Sequence, residues 1–139
     1  MRYIYEIIEA VAKAKTKAER KDILLKHKDE WALKDLLKGT FSSQVEFLLP
    51  KGDVPYTACE EHNAPSDWKR QHKQLRYVVR GGPGGAMPAY KREKIFLGIL
   101  ESIHPEDAKL VVKMINKEQP AKGITSSLVK EVFPSLIWT

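Results

Sequence analysis

Residues 95–115 read IFLGILESIHPEDAKLVVKMI, and this stretch decides the fold class. Ile95, Phe96, Ile99, Leu100 and Ile103 recur at intervals of three and four, the period of one helix face. Leu110, Val111, Met114 and Ile115 repeat the pattern. Between the two runs stands His104-Pro105-Glu106-Asp107. Proline suits the first turn of a helix, where its missing N–H is not needed, and acids in that turn face the positive end of the helix dipole. Two amphipathic helices meeting at a tight junction are predicted.

Working outward, Pro88 is a natural first-turn residue for the first of these helices, and it follows a Gly/Pro loop over residues 81–88. Ser66 is expected to cap a preceding helix with Trp68, His72, Leu75 and Val79 inward. At the start of the chain, Ile4, Ile7, Ile8 and Val11 form one apolar stripe. Thr16 and Glu19 make a capping-box pattern, predicting a second helix from about Lys17 that buries Ile23 and Leu24. Asp29 is expected to cap a third, with Trp31, Leu33, Leu36 and Leu37 turned inward and Gly39 just past its end. Residues 41–49 are apolar-rich, and periodicity leaves helix and extended chain open there. Residues 50–65 hold Pro50, Gly52, Pro55, Asn63 and Pro65, which break regular structure, so a mobile acidic surface loop is expected. Toward the C-terminus, Thr125 or Ser126 opens a last helix carrying Leu128, Val129, Val132 and Phe133. The expectation is all-α: a compact bundle of six to eight helices forming a single domain over residues 1–139.

The chain has 139 residues, a formal net charge of +6 and one cysteine, Cys59. One cysteine excludes a disulfide framework within the chain and a multi-cysteine zinc site. No apolar run approaches the ~20 residues of a membrane span, and Glu6 and Glu9 interrupt the first apolar residues, so neither a membrane partner nor a signal peptide is expected. A cytoplasmic location follows as the expectation. The charge is uneven: residues 66–94 carry Lys69, Arg70, Lys73, Arg76, Arg80, Lys91, Arg92 and Lys94 against two acids. Clustering of cations around a glycine-rich loop favours a polyanion over a merely solvated helix face.

Catalytic signals are weak. The glycine loop lacks the Gly-Lys-Ser/Thr ending of a phosphate-binding P-loop. His27, His62, His72 and His104 show no ligand spacing, so no metal or cofactor is expected. His72 reads as a satisfied core or edge histidine. Cys59 sits among Glu60 and Glu61, whose charges would raise a thiol pKa and blunt its reactivity. No catalytic residue is assigned. Two segments combine glycine, small polar groups and lysine at a predicted helix start, around Gly84-Gly85 with Lys91 and Lys94, and around Lys122-Gly123 with Thr125 and Ser126. Free N–H groups at a helix start hold phosphate oxygens, although Thr125 and Ser126 equally serve as ordinary caps.

Several of these segments carry a family resemblance. Residues 7–24, with Thr16-Lys17-Ala18-Glu19-Arg20-Lys21, resemble the opening helix pair of the N-terminal DNA-binding domain of ATP-dependent DNA ligases, in particular those of T-even-type phages. Phe41-Ser42-Ser43 resembles a turn after that domain's third helix, and Lys91-Arg92-Glu93-Lys94-Ile95 its Lys-rich helix start. Lys122-Gly123-Ile124-Thr125-Ser126-Ser127 and Val132-Phe133-Pro134-Ser135-Leu136-Ile137 are the most specific matches. The resemblance implies an all-helical grip on duplex DNA, with the segments 84–94 and 122–127 facing it. The chain lacks the Lys-x-Asp-Gly motif that ligases adenylate, so no ligase activity is expected.

The combined expectation is a non-catalytic phage DNA-binding protein, in the cytoplasm of a bacterial host, gripping duplex backbone without strong sequence preference. Lys69, Arg70, Lys73, Arg76, Lys91, Lys94, Lys122 and Lys130 would meet phosphates; Gly84, Gly85, Gly123, Thr125 and Ser126 would offer backbone or hydroxyl donors. The alternative is a protein-interaction module that uses the same fold as a scaffold for the phage sliding clamp or another replication or transcription protein. The acidic loop 50–65 and the apolar Leu136-Ile137-Trp138 motivate it.

Overall fold

The computed structural model describes residues 3–42, 45–49, 56–60, 64–80 and 82–134. The stretch that opened the sequence reading forms two helices, α5 (Ala89–Ser102) and α6 (Pro105–Ile115). Pro105 is the first helical residue of α6, and the His104 ring nitrogen Nδ1 accepts from the Glu106 N–H at 3.1 Å, capping the helix. Ahead of them come α1 (Ile4–Lys13), α2 (Lys17–Lys26), α3 (Trp31–Phe41) and the single turn α4 (Trp68–Gln71), and after them α7 (Ser126–Val132). The seven α-helices among the described residues make the protein all-α.

Helix α6 is the hub. It packs against α3, α5 and α1, while α2 joins α1 to α7. The predicted stripes of α1, α5 and α6 supply much of the core, with Ile7, Val11, Leu100, Val111 and Met114 essentially inaccessible to water. Each such side chain contributes roughly 1.5–3 kcal/mol on burial. Thr16 caps α2 by accepting from the Glu19 N–H at 3.2 Å. Thr125 caps α7 in the same way, from the Leu128 N–H at 3.2 Å.

Helix α3 departs from its expected form in three ways. Its N-cap is Glu30, with no side-chain capping bond, rather than Asp29. Trp31 is not in the inner stripe: it is 62% exposed, because Ala32, Leu33, Leu36 and Leu37 already fill the buried face. Gly39 lies inside the helix rather than beyond it. A Cβ there would stand 2.6 Å from Met114 Sδ, so glycine at this position lets α3 and α6 approach closely.

The segment after Ser66 also differs. Asp67, not Ser66, caps α4, accepting from the Arg70 N–H at 2.9 Å. The chain then tightens into a 3-10 helix over His72–Tyr77. At three residues per turn the inward set becomes Trp68, His72, Leu75 and Val78, and Val79 is displaced from the core. Val79 forms an isolated antiparallel bridge with Phe47 instead. The Leu48 N–H donates to Val78 O at 2.7 Å and the Arg80 N–H to Glu46 O at 2.8 Å, so residues 45–49 are extended. Trp68 anchors this region through Nε1–H donating to Ala32 O at 3.0 Å.

Residues 56–60, expected as part of a mobile loop, are fastened to the end of α5. The Thr57 N–H donates to Glu101 Oε2 at 2.8 Å and Cys59 Sγ to Ile103 O at 2.8 Å. Residues 50–55 and 61–63 and the apolar Leu136-Ile137-Trp138 lie outside the described residues.

Two charged residues of α6 and its exit complete other helices. Asp107 is 2% exposed, and its Oδ1 accepts from the Tyr5 N–H at 2.8 Å, in the first turn of α1. Its Oδ2 has no hydrogen-bond partner among the described residues. Burial therefore raises its pKa from 3.8 to about 6, against the opposing pull of the Tyr5 N–H and His104. Lys117 follows the C-terminus of α6 in left-handed conformation, φ 57°. The Glu118 N–H bonds to Lys113 O and the Lys117 N–H to Met114 O, the double bond pattern that closes a helix end. Glycine usually holds that position. Lysine holds it here while its ammonium donates to Gly39 O at 2.6 Å, Ser42 O at 3.0 Å and Val45 O at 2.7 Å. One cation thus closes the last turn of α3 and fixes the extended segment after it.

Candidate nucleic-acid interface

The α3 end that Lys117 fixes is one wall of a groove of about 280 Å3. The other wall is the 3-10 helix and the bridge segment, and Lys38, Lys73, Arg76 and Arg80 line it together with Phe47, Val79 and Asp35. Asp35 is the carboxylate of the lining; its side chain is 36% exposed, and its Oδ2 pairs with His72 Nδ1. Arg80 pairs with Glu46 at 3.0 Å, both well exposed, so water screens that pair. Arg76 lies over the Tyr77 ring at 5.0 Å and donates to its hydroxyl at 3.0 Å. Lys38 and Lys73 have no ion-pair partner among the described residues.

A second groove, of about 410 Å3, opens on the far side of Lys38. Lys28, Lys34 and Lys38 are its charged residues; Leu25, Trp31, Val132, Phe133 and Pro134 supply its apolar surface. Lys34 Nζ lies 4.5 Å from the Trp31 ring centroid and 5.3 Å from that of Phe133, favourable cation–π distances. Lys38 belongs to both grooves. The outer surface of α3 is therefore the middle of a cationic track running from Lys28 to Arg80.

The residues singled out from sequence distribute unevenly around this track. Lys73 and Arg76 line the first groove. Lys69 instead pairs with Glu30 at 3.4 Å, and Arg70 is exposed beside Asp67. Gly84 and Gly85 lie in a 3-10 turn, Pro83–Ala86, packed on the 3-10 helix, and the Gly85 N–H is committed to Gly82 O at 3.1 Å. Lys91 and Lys94 are exposed on α5. Their neighbour Arg92 is structural: it donates to Met87 O at 2.5 Å and to Leu48 O at 3.4 Å. Lys122, Thr125, Ser126 and Lys130 are exposed at α7. Gly123 has φ 90°, and a Cβ there would meet the Arg20 guanidinium at 3.0 Å, so this glycine seats a side chain of α2. The start of α5 thus neighbours the 3-10 helix, and the start of α7 neighbours α2.

Sequence reading missed Lys28, Trp31, Lys34 and Lys38. The spacing of Trp31, Lys34 and Lys38 at i, i+3 and i+7 marks one face of α3, and it is the face opposite the leucines. Among the described residues no three His, Cys, Asp or Glu side chains gather into a possible metal site, and no helix is long and apolar enough to cross a membrane.

By fold and surface, then, this is an all-α protein with a cationic, partly aromatic double groove. Residues 7–120 match a family of unknown function, DUF6433, and the chain belongs to that family. The matched span runs from within α1 through α6 and includes Lys117 and the whole first groove; α7 lies beyond it. No curated protein matches the chain.

Proposed function

We propose that this protein binds duplex DNA through its phosphate backbone, without strong sequence preference and without catalysing a reaction. The observation that carries the reading is the placement of Lys38, shared by two grooves whose charged linings are cationic except for the His72-paired Asp35. Lysine and arginine on a continuous surface neutralise successive phosphates, and such contacts position a duplex without reading its bases. Lys91, Lys94, Lys122 and Lys130 extend the positive field around the track rather than forming it. The resemblance to the ligase DNA-binding domain, with its phage and replication context, supports the same reading.

The test is a titration of a labelled duplex at several salt concentrations. Each neutralised phosphate contributes about −0.9 to the slope of log K against log salt. The double substitution Lys38→Gln with Lys73→Gln should weaken binding to all sequences alike and reduce the slope by about 2. Undetectable or salt-insensitive binding refutes the proposal.

A further inference from the structure

We infer that the groove beside Trp31 receives an unstacked base, so that the favoured ligand is DNA with a single-stranded segment adjoining the duplex. The inference rests on the DNA-binding reading and narrows its substrate class. Trp31 begins α3 and contributes nothing to its buried face, yet it presents an indole that is 62% exposed. Leu25, 47% exposed, lines the same groove, so the indole is part of a shared apolar surface rimmed by lysines rather than a lone exposed ring. The groove it borders, about 410 Å3, is in the size range of small-ligand sites. Its apolar lining is Leu25, Val132 and Phe133 with Pro134, and its charged residues are Lys28, Lys34 and Lys38. A flat apolar ring joined to an anion fits that chemistry, and a nucleotide is such a group: its base takes the place of the Lys34 ammonium now 4.5 Å from the Trp31 ring centroid, and its phosphate receives that ammonium. Base stacking on an aromatic side chain needs no particular sequence, which agrees with backbone-led binding. Lys38 then passes the strand to the adjoining groove, where Lys73 and Arg76 meet the next phosphates.

The experiment compares a blunt duplex, the same duplex with a single-stranded tail, and oligo-dT, using the full chain, Trp31→Ala and Trp31→Phe. Circular dichroism melts check that the variants fold, as expected for an exposed position. The wild-type chain should bind the tailed duplex about tenfold or more better than the blunt one. Trp31→Ala should weaken binding to the tailed duplex about tenfold or more beyond any loss on the blunt one, so that the preference disappears, and Trp31→Phe should keep most of it. Equal wild-type affinity for tailed and blunt duplex, or an equal loss on both in Trp31→Ala, overturns the inference and leaves the duplex reading standing. Binding to no nucleic acid overturns both. Quenching by an acidic, apolar peptide, and by no oligonucleotide, of the tryptophan emission that Trp31→Phe removes also overturns both, in favour of a protein partner.

Discussion

Asp107→Asn should turn a pH-dependent stability into a flatter one. The carboxylate is buried, shares Oδ1 with the Tyr5 N–H, and leaves Oδ2 without a hydrogen-bond partner among the described residues. Its folded-state pKa is raised from 3.8 to about 6, with the neighbouring Asp67 charge acting in the same direction as burial and His104 against it. The folded protein therefore binds this proton more tightly than the unfolded chain. The stabilisation is fully present below the unfolded value of 3.8, declines as pH rises and is lost above about 6. Two pKa units correspond to about 3 kcal/mol, most of it spent between pH 4 and 7.5. Asparagine keeps an acceptor for the Tyr5 N–H and does not titrate. Urea unfolding of both proteins across that range, followed by far-UV circular dichroism, should show wild type losing about 2–3 kcal/mol relative to Asp107→Asn as pH rises. A stability difference constant across the range, or one that changes in the opposite direction, refutes the assigned cost of the buried charge.

Other outcomes follow from the packing. Lys117→Gly relieves a left-handed backbone worth about 1 kcal/mol but removes three charge-assisted bonds to the end of α3; a net loss of about 2 kcal/mol or more is expected in urea unfolding, and unchanged stability would contradict the clamp. Gly82→Ala places a Cβ 2.3 Å from the backbone Arg76 O, so the loop must shift; a cost of about 1–3 kcal/mol should appear as a lower melting midpoint. Trp68→Phe removes the bond to Ala32 O and leaves a void in the core, at about 1–3 kcal/mol by chemical unfolding.

The helices that were legible in the sequence are those with a full apolar stripe and a chemical stop. Ile4-Ile7-Ile8-Val11 and the His104-Pro105 junction needed nothing beyond period and proline geometry. Trp31 was misplaced because hydrophobicity alone cannot say which side of a full stripe an indole takes. The 3-10 tightening over His72–Tyr77 moved the inward valine by one position, an adjustment set by tertiary pairing with Phe47 rather than by local pattern. Lys73 and Arg76 were visible as members of a dense basic segment. Lys28, Lys34 and Lys38 were not, because they lie in a stretch where acids nearly balance them and only the fold brings them beside the basic segment. Lys117 carries no sequence signal at all: its position asks for glycine, and its partners lie 72 to 78 residues away.

The reach of Asp107 bears on how the chain is made as well as how it stands. Helix α1 has ten residues, fewer than the roughly 12–15 that an isolated helix needs to persist in water. The acceptor for its Tyr5 N–H comes from 102 positions later. At a synthesis rate of about 5–20 residues per second, some 5–20 seconds separate the two on the ribosome. During that interval the apolar stripe of α1 has α2 beside it but not α6, so its burial is completed only once the hub helix has emerged.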